Sequence, residues 1–150
     1  MTHFVIDVDQ DDADVLASLI SSPGYAHDYA SPFQSESAPF GKPVHGRWVL
    51  SEIDVGRFEP STAGRTEADL HRWANEQDWT DPEYRQPPEV MHQLGAVYSL
   101  LRVGNIYKLR NPGPEAEHDY GDVTGGLGFH EFVVIDRANA DLHVIVASND

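Results

Sequence analysis

The sequence predicts an α+β domain, and two observations carry this prediction. Two β-rich runs near the C-terminus, at residues 132–135 and 142–147, are separated by the short polar stretch 136–141, a pattern typical of a β-hairpin. Apolar side chains alternate onto both faces of each run, so we expect the pair to lie inside a sheet that is covered on both sides. The second observation is an apolar stripe at helical spacing, formed by Val90, Leu94, Val97, Tyr98 and Leu101.

Five strands are expected where β-branched and aromatic residues cluster, at residues 3–8, 46–55, 106–109, 129–136 and 141–148. Three helices are expected at residues 10–21, 67–79 and 88–103. These elements predict an antiparallel or mixed sheet of four to five strands, with two to three helices packed mainly on one face.

Residues that favour helix N-termini mark the start of each helix. Asp9 is the expected N-cap of the first helix, and the aspartates after it occupy the first turn, where the helix dipole favours carboxylates. Thr66 and Asp69 are expected to form a capping box for the second helix, and Pro88 suits the first turn of the third. The chain has no internal repeat and no linker, so we expect one domain over residues 1–150.

The composition fits a soluble domain of ordinary size. Of the 150 residues, 40% are hydrophobic, and no apolar run approaches the ~18 residues that would span a bilayer. No N-terminal leader is recognisable, so we expect a cytoplasmic protein that does not interact with a membrane. The sequence has no cysteine, which excludes disulfides, thiol catalysis and cysteine-based metal sites.

The net charge of −15 is concentrated at the two ends of the chain. Residues 1–41 contain seven acids and no Lys or Arg, and residues 111–150 contain eight acids and one Arg. If both ends join one sheet, their loops form a single acidic surface that attracts a basic partner and repels nucleic acid. No basic run is interleaved with aromatic residues, which also argues against nucleic-acid binding. An acidic coat that serves only solubility explains the same distribution.

The long connection at residues 23–43 contains four prolines and no helical or strand period. Such connections are usually functional or disordered, and disordered segments are poor in aromatic residues. This one carries four aromatic residues: Tyr25, Tyr29, Phe33 and Phe40. We expect these rings to anchor a partner, together with Asp119 and Asp122 of the glycine-rich loop before the hairpin. The alternative is that the rings only cover one face of the sheet.

Four residues around the hairpin are of types that bind metals or act as general bases: His118, His130, Glu131 and His143. His130 and His143 fall on paired strands, and a suitable register would bring them to one face. No known metal-ligand spacing, nucleophile elbow or phosphate-binding loop accompanies them. We therefore predict no cofactor and no catalytic residues, and we treat metal binding at these four residues as the alternative.

These observations favour a non-enzymatic protein that binds a basic protein partner through its acidic ends and the aromatic loop 23–43. Immunity proteins that inhibit basic nuclease toxins, and proteins that imitate DNA, use the same electrostatics, although the likeness is one of composition alone. The alternative is a small enzyme or ligand-binding domain, possibly metal-dependent, with a pocket between the sheet and loop 23–43.

Overall fold

The computed structural model describes residues 2–27, 29, 43–76, 80–81, 83–118 and 128–148. The chain forms two compact units, each built from separate segments of sequence. Unit 1 comprises Met1–Ile6, Pro60–Lys108 and Glu131–Ala147, and unit 2 comprises Asp7–Glu59, Leu109–His130 and Ser148–Asp150. Within the described ranges, no helix has both the length and the apolar character needed to cross a membrane.

Seven strands and three α-helices make up the described part of the chain. In chain order they are β1 (Thr2–Val5), α1 (Asp12–Ser21), β2 (Val44–His45), β3 (Trp48–Val49), β4 (Phe58–Ser61), α2 (Ala63–Asn75), α3 (Pro88–Leu100), β5 (Asn105–Leu109), β6 (Phe129–Asp136) and β7 (Asp141–Ser148).

Five of the strands form an antiparallel sheet with the spatial order β1-β7-β6-β5-β4, which confirms the α+β prediction. The β6–β7 hairpin occupies two of the three inner positions, as its apolar faces predict. In the β1–β7 pair, His3 lies opposite His143. In the β5–β6 pair, Ile106 lies opposite Val134.

Helices α2 and α3 pack on the sheet in unit 1. The core cluster contains one buried residue near the middle of α2, one just after α3 and five from the sheet: Leu70, Leu101, Ile106, Phe132, Val134, Ile145 and Ala147. Phe132 and Val134 lie on the same face of β6, because residues two apart in a strand point the same way, and both side chains are fully buried. The partly buried Val97 and Tyr98 of α3 complete this packing.

Asp136 holds the turn between β6 and β7. Its carboxylate accepts hydrogen bonds from the Asn139 side chain at 2.7 Å and from the backbone N–H groups of Ala138 and Asn139 at 3.1 and 3.2 Å. The Asn139 side-chain hydrogen bond, reinforced by these N–H groups and by the nearby His143, keeps the pKa of Asp136 below its ordinary value of 3.8, although burial opposes this shift.

The lowered pKa of Asp136 predicts a specific acid sensitivity. A carboxylate whose pKa is lowered by folding stabilises the protein above its unfolded-state pKa, and this stabilisation disappears as pH falls through the folded-state pKa. We expect Asp136→Asn to lower the melting temperature at pH 7, and we expect this effect to become smaller as the pH falls below 3.8. Circular dichroism melts of both proteins over this pH range measure the difference, and a difference that does not change with pH would contradict the role of the carboxylate.

Unit 2 contains α1 and the short β2–β3 hairpin. Asp11 caps α1, since its carboxylate accepts a hydrogen bond from the Asp14 N–H at 2.8 Å. The buried face of α1 consists of Val15, Leu16 and Leu19. α1 packs against the 3-10 turn Val55–Arg57.

The predicted strand 46–55 is wrong, because only Trp48–Val49 belongs to a strand within it. A 3-10 turn, Leu50–Glu52, follows, and the Ile53 N–H donates to the Leu50 carbonyl oxygen at 3.1 Å. Leu50 and Ile53 are three residues apart, the spacing that a 3-10 turn places on one side. Gly46, with φ +53°, forms a tight turn between β2 and β3 instead of starting a strand.

Strand β4 lies within a stretch where the sequence predicts only a connection. Pro60 has no N–H for a strand ladder, which argues against a strand, but β4 is an edge strand, where such a donor is dispensable.

Several helix and strand ends also differ from the prediction. α2 begins at Ala63 instead of residue 67, because Thr62 is its N-cap and accepts a hydrogen bond from the Arg65 N–H at 3.3 Å. The predicted cap Thr66 is buried and bonds the Ser61 hydroxyl at 3.0 Å. α2 also ends at Asn75, four residues before the predicted end at residue 79. The remaining shifts are smaller: β1 ends three residues early, α1 starts two residues late and α3 ends three residues early.

Candidate functional site

Tyr25 and Tyr29, two of the predicted partner anchors, belong to an aromatic cluster inside unit 2. Tyr25 is 1% exposed, and its ring stacks on His45 with 3.6 Å between the ring centroids. Tyr29 is partly buried, and its ring meets His45 edge-on at 5.3 Å and lies 5.9 Å from Phe129. Tyr25 is therefore a core residue and not an exposed anchor, which corrects the prediction for this side chain. Tyr29 keeps part of its surface accessible.

The other predicted partner-binding residues, Phe33, Phe40, Asp119 and Asp122, lie outside the described residues. The same holds for most of loop 23–43, one wall of the pocket expected in the alternative enzyme hypothesis.

His118 and Glu131, two of the four candidate metal or base residues, have separate places in the fold. The Nε2 atom of His118 lies 2.9 Å from the carbonyl oxygen of Gly46, a contact that ties the β2–β3 turn to residue 118. Glu131 is fully buried in β6. Within the described ranges, no three His, Asp or Glu side chains are grouped so that they could hold a metal ion.

His130 and His143, the other two candidates, belong to different units. The β1–β7 register places His143 opposite His3, with 5.4 Å between the ring centroids. The Nε2 atom of His3 lies 2.8 Å from a carboxylate oxygen of Asp141. On β1, the residue opposite His143 is therefore His3, a position that sequence analysis did not consider.

Several acids near the C-terminus have structural roles. Glu117 forms an ion pair with Arg47 at 3.0 Å, and Asp141 contacts His3. The carboxylate of Asp136 accepts the hydrogen bonds that stabilise the hairpin turn. Among the described residues, the exposed acidic character predicted for the two chain ends is therefore carried mainly by the N-terminal end.

We define the acidic segment as residues 7–14 of unit 2, which include the first turn of α1. Its exposed carboxylates are those of Asp7, Asp9, Asp11 and Asp14. Two of these four carboxylates accept hydrogen bonds from backbone N–H groups. Asp7 accepts from the Asp9 N–H, and Asp11 caps α1. The carboxylates of Asp9 and Asp14 make no hydrogen bond or ion pair to any described residue.

All charged side chains of the acidic segment are negative. No Lys or Arg occurs in residues 1–41, so the segment has no basic neighbour in sequence. Carboxylates within one short segment repel each other, and the repulsion is stronger where protein excludes solvent. The positive end of the α1 dipole offsets part of this repulsion, and a cation from another molecule would offset more.

A groove in unit 1 is a further candidate site, and it has a volume of about 760 Å³. Its floor is one face of α2, where Gly64, Ala68 and Arg72 follow one another at intervals of four residues. Arg85 and Tyr98 contribute to its walls. Sequence analysis missed this groove, although two very small residues one helical turn apart are a signal that could have indicated it.

The chain was also compared with known proteins by sequence and by structure. No model of a known protein family, no curated protein and no solved structure matches it. Functional conclusions therefore rest on the residues and geometry of the two candidate sites.

Proposed function

We propose that this chain is a non-enzymatic binding protein that engages a basic protein partner through the acidic segment. The single observation that carries the proposal is the exposure of four carboxylates within eight residues, none of them in an ion pair with a described residue. Lysine or arginine side chains of a partner would relieve the repulsion among these carboxylates.

The acidic segment has a fixed support. Asp11 caps α1, and the buried residues Val15, Leu16 and Leu19 anchor the helix to unit 2. A partner that contacts the carboxylates at the start of this helix therefore loses little backbone entropy, because the segment is already ordered. Phe33 and Phe40, the remaining aromatic residues of the predicted loop, are proposed to contribute apolar contacts to the same partner.

Binding through the acidic segment differs from the general attraction that the net charge of the chain exerts on cations. A solubility coat would attract cations in proportion to the total charge of −15, wherever the acids lie. A binding surface depends instead on which acids are removed. Two variants with equal net charge therefore distinguish the two explanations.

The experiment begins with capture of basic proteins on the immobilised chain at low salt, followed by purification of a captured protein and titration by calorimetry. The test variant carries Asp7→Asn, Asp9→Asn and Asp14→Asn, which keeps the helix cap Asp11. The control carries Asp81→Asn, Glu83→Gln and Glu89→Gln, three exposed acids outside the acidic segment. We expect the test variant to bind at least about tenfold more weakly, whereas the control stays within about twofold of the original chain.

Two results would count against the proposal. Equal weakening in both variants would show that only total charge matters. Full affinity in the test variant would place the binding surface elsewhere.

A further inference from the structure

We propose that the groove along α2 in unit 1 binds a small anionic molecule with a ring-sized apolar body, whose carboxylate or phosphate group lies at Arg72 and Arg85. This site is independent of the acidic segment, which belongs to unit 2. The proposal rests on the shape of the groove, on the free guanidinium group in it, and on the polar atom that the groove leaves unpaired.

The shape of the groove suits a small molecule. Its volume of about 760 Å³ falls within the range of ~300–1,000 Å³ that is typical of ligand pockets. Gly64 and Ala68 lie one helical turn apart, and their short side chains leave the backbone of α2 as the floor of a channel. Arg72 comes one turn later on the same face, so the channel leads to a positive charge.

Arg72 is exposed, and its guanidinium group makes no hydrogen bond or ion pair to any described residue. Arg85 adds a second guanidinium group to the lining, and one of its nitrogens donates to the carbonyl oxygen of Tyr84. Guanidinium groups bind carboxylates and phosphates through paired N–H donors, which makes Arg72 a suitable anchor for an anion in this groove.

Two acids also line the groove, Glu67 and Glu76. Glu67 forms an ion pair with Arg102, with 2.7 Å between the paired atoms. The two arginines and two acids of the lining leave the groove without the acidic excess of the chain as a whole, whose net charge is −15.

Tyr98 of α3 supplies an aromatic wall and an unpaired hydroxyl group. The hydroxyl oxygen is buried and has no hydrogen-bond partner among the described residues. Burial, and secondarily the charge of Glu67, raises the pKa of Tyr98. An unpaired buried hydroxyl destabilises the protein, and a ligand oxygen that reached it after a small shift of the neighbouring side chains would recover part of that loss.

The chemistry and the volume of the groove indicate the class of ligand. Tyr98 offers an aromatic wall and Arg72 a guanidinium group, and a volume of about 760 Å³ accommodates one aromatic ring with an attached acidic group. Phenyl phosphate and benzoate are therefore the probes of choice, and inorganic phosphate tests the anionic group alone.

The experiment is a calorimetric or NMR titration of the full chain with each probe. We expect saturable binding of at least one aryl anion, with inorganic phosphate at least about tenfold weaker because it lacks the apolar body. The stronger of phenyl phosphate and benzoate identifies the anionic group that the site prefers.

Three variants make the titration specific. Arg72→Gln should weaken binding by about tenfold or more, and Ala68→Leu should abolish it by filling the channel. Both positions are exposed, so neither change removes a core contact. Arg65→Gln is the matched control, because Arg65 is an exposed arginine of the same helix that does not line the groove.

The proposal would be overturned if neither aryl anion saturated the protein at concentrations up to about 10 mM. It would also be overturned if Arg65→Gln weakened binding as much as Arg72→Gln, or if Ala68→Leu bound the probe normally. None of these results bears on the acidic segment, because no variant changes it.

Discussion

Replacing Phe132 with Ala is expected to lower the free energy of unfolding by about 3–5 kcal/mol. The side chain is fully buried in the core of unit 1, in the same cluster as Leu70 and Leu101. Its removal leaves a cavity that neighbouring side chains fill only in part, so both burial and packing are lost. Urea denaturation followed by circular dichroism measures the change.

Val90→Ala is the control for the Phe132 prediction. Val90 lies on α3 and is 40% exposed, so its truncation should change the free energy of unfolding by less than about 0.5 kcal/mol. A loss below about 1 kcal/mol for Phe132→Ala would contradict the central position of this ring.

Gly104→Ala is the second substitution with a large expected effect, a loss of about 3 kcal/mol or more. A Cβ atom at residue 104 would lie 1.9 Å from the carbonyl oxygen of Ile135 and 2.6 Å from its carbonyl carbon. Both atoms belong to the backbone of β6, an inner strand hydrogen-bonded on both sides. The clash therefore cannot be relieved by a side-chain rotation, and β5 must move away from β6.

Gly95→Ala provides a control of opposite sign. A Cβ atom at residue 95 meets nothing within 4 Å, and the residue lies inside α3. Alanine loses less backbone entropy than glycine when a helix forms, so we expect a gain of about 0.5–1 kcal/mol. Chemical denaturation of the two variants side by side measures both effects, and an unchanged stability for Gly104→Ala would contradict the close approach of the two strands.

The β6–β7 hairpin could be predicted from the sequence because its signals are local. A polar turn between two β-branched runs determines both the pairing and the register, and the predicted spans 129–136 and 141–148 match the structure. The start of α3 at Pro88 is equally local, because proline favours the first turn of a helix.

Strand β4 could not be predicted because its pairing depends on distant sequence. Pro60 is compatible with a strand only at the edge of a sheet, and the sequence does not reveal which strand lies at the edge. The spacing of Leu50 and Ile53 is likewise compatible with both a strand and a 3-10 turn. Only the contacts around Ile53 decide between the two.

The candidate sites, too, could be predicted only where their sequence signals are local. The exposure of Asp7 to Asp14 follows from local rules, since acids collect at helix N-termini and in turns. The roles of Asp136 and Glu117 depend on which donors and bases the fold brings near them. The groove requires Arg85 and Tyr98 to approach α2, and no local pattern encodes that approach.

Salt dependence of partner binding tests the proposed function most directly. Exposed charges are screened beyond about 8 Å at physiological ionic strength, so binding through the acidic segment must weaken as salt rises. We expect the affinity of the original chain for the basic partner to fall at least about tenfold between roughly 0.05 and 0.5 M NaCl. The variant with Asp7→Asn, Asp9→Asn and Asp14→Asn should show a clearly shallower decline than the control with equal net charge. Identical slopes for these two variants would contradict a binding role for the acidic segment.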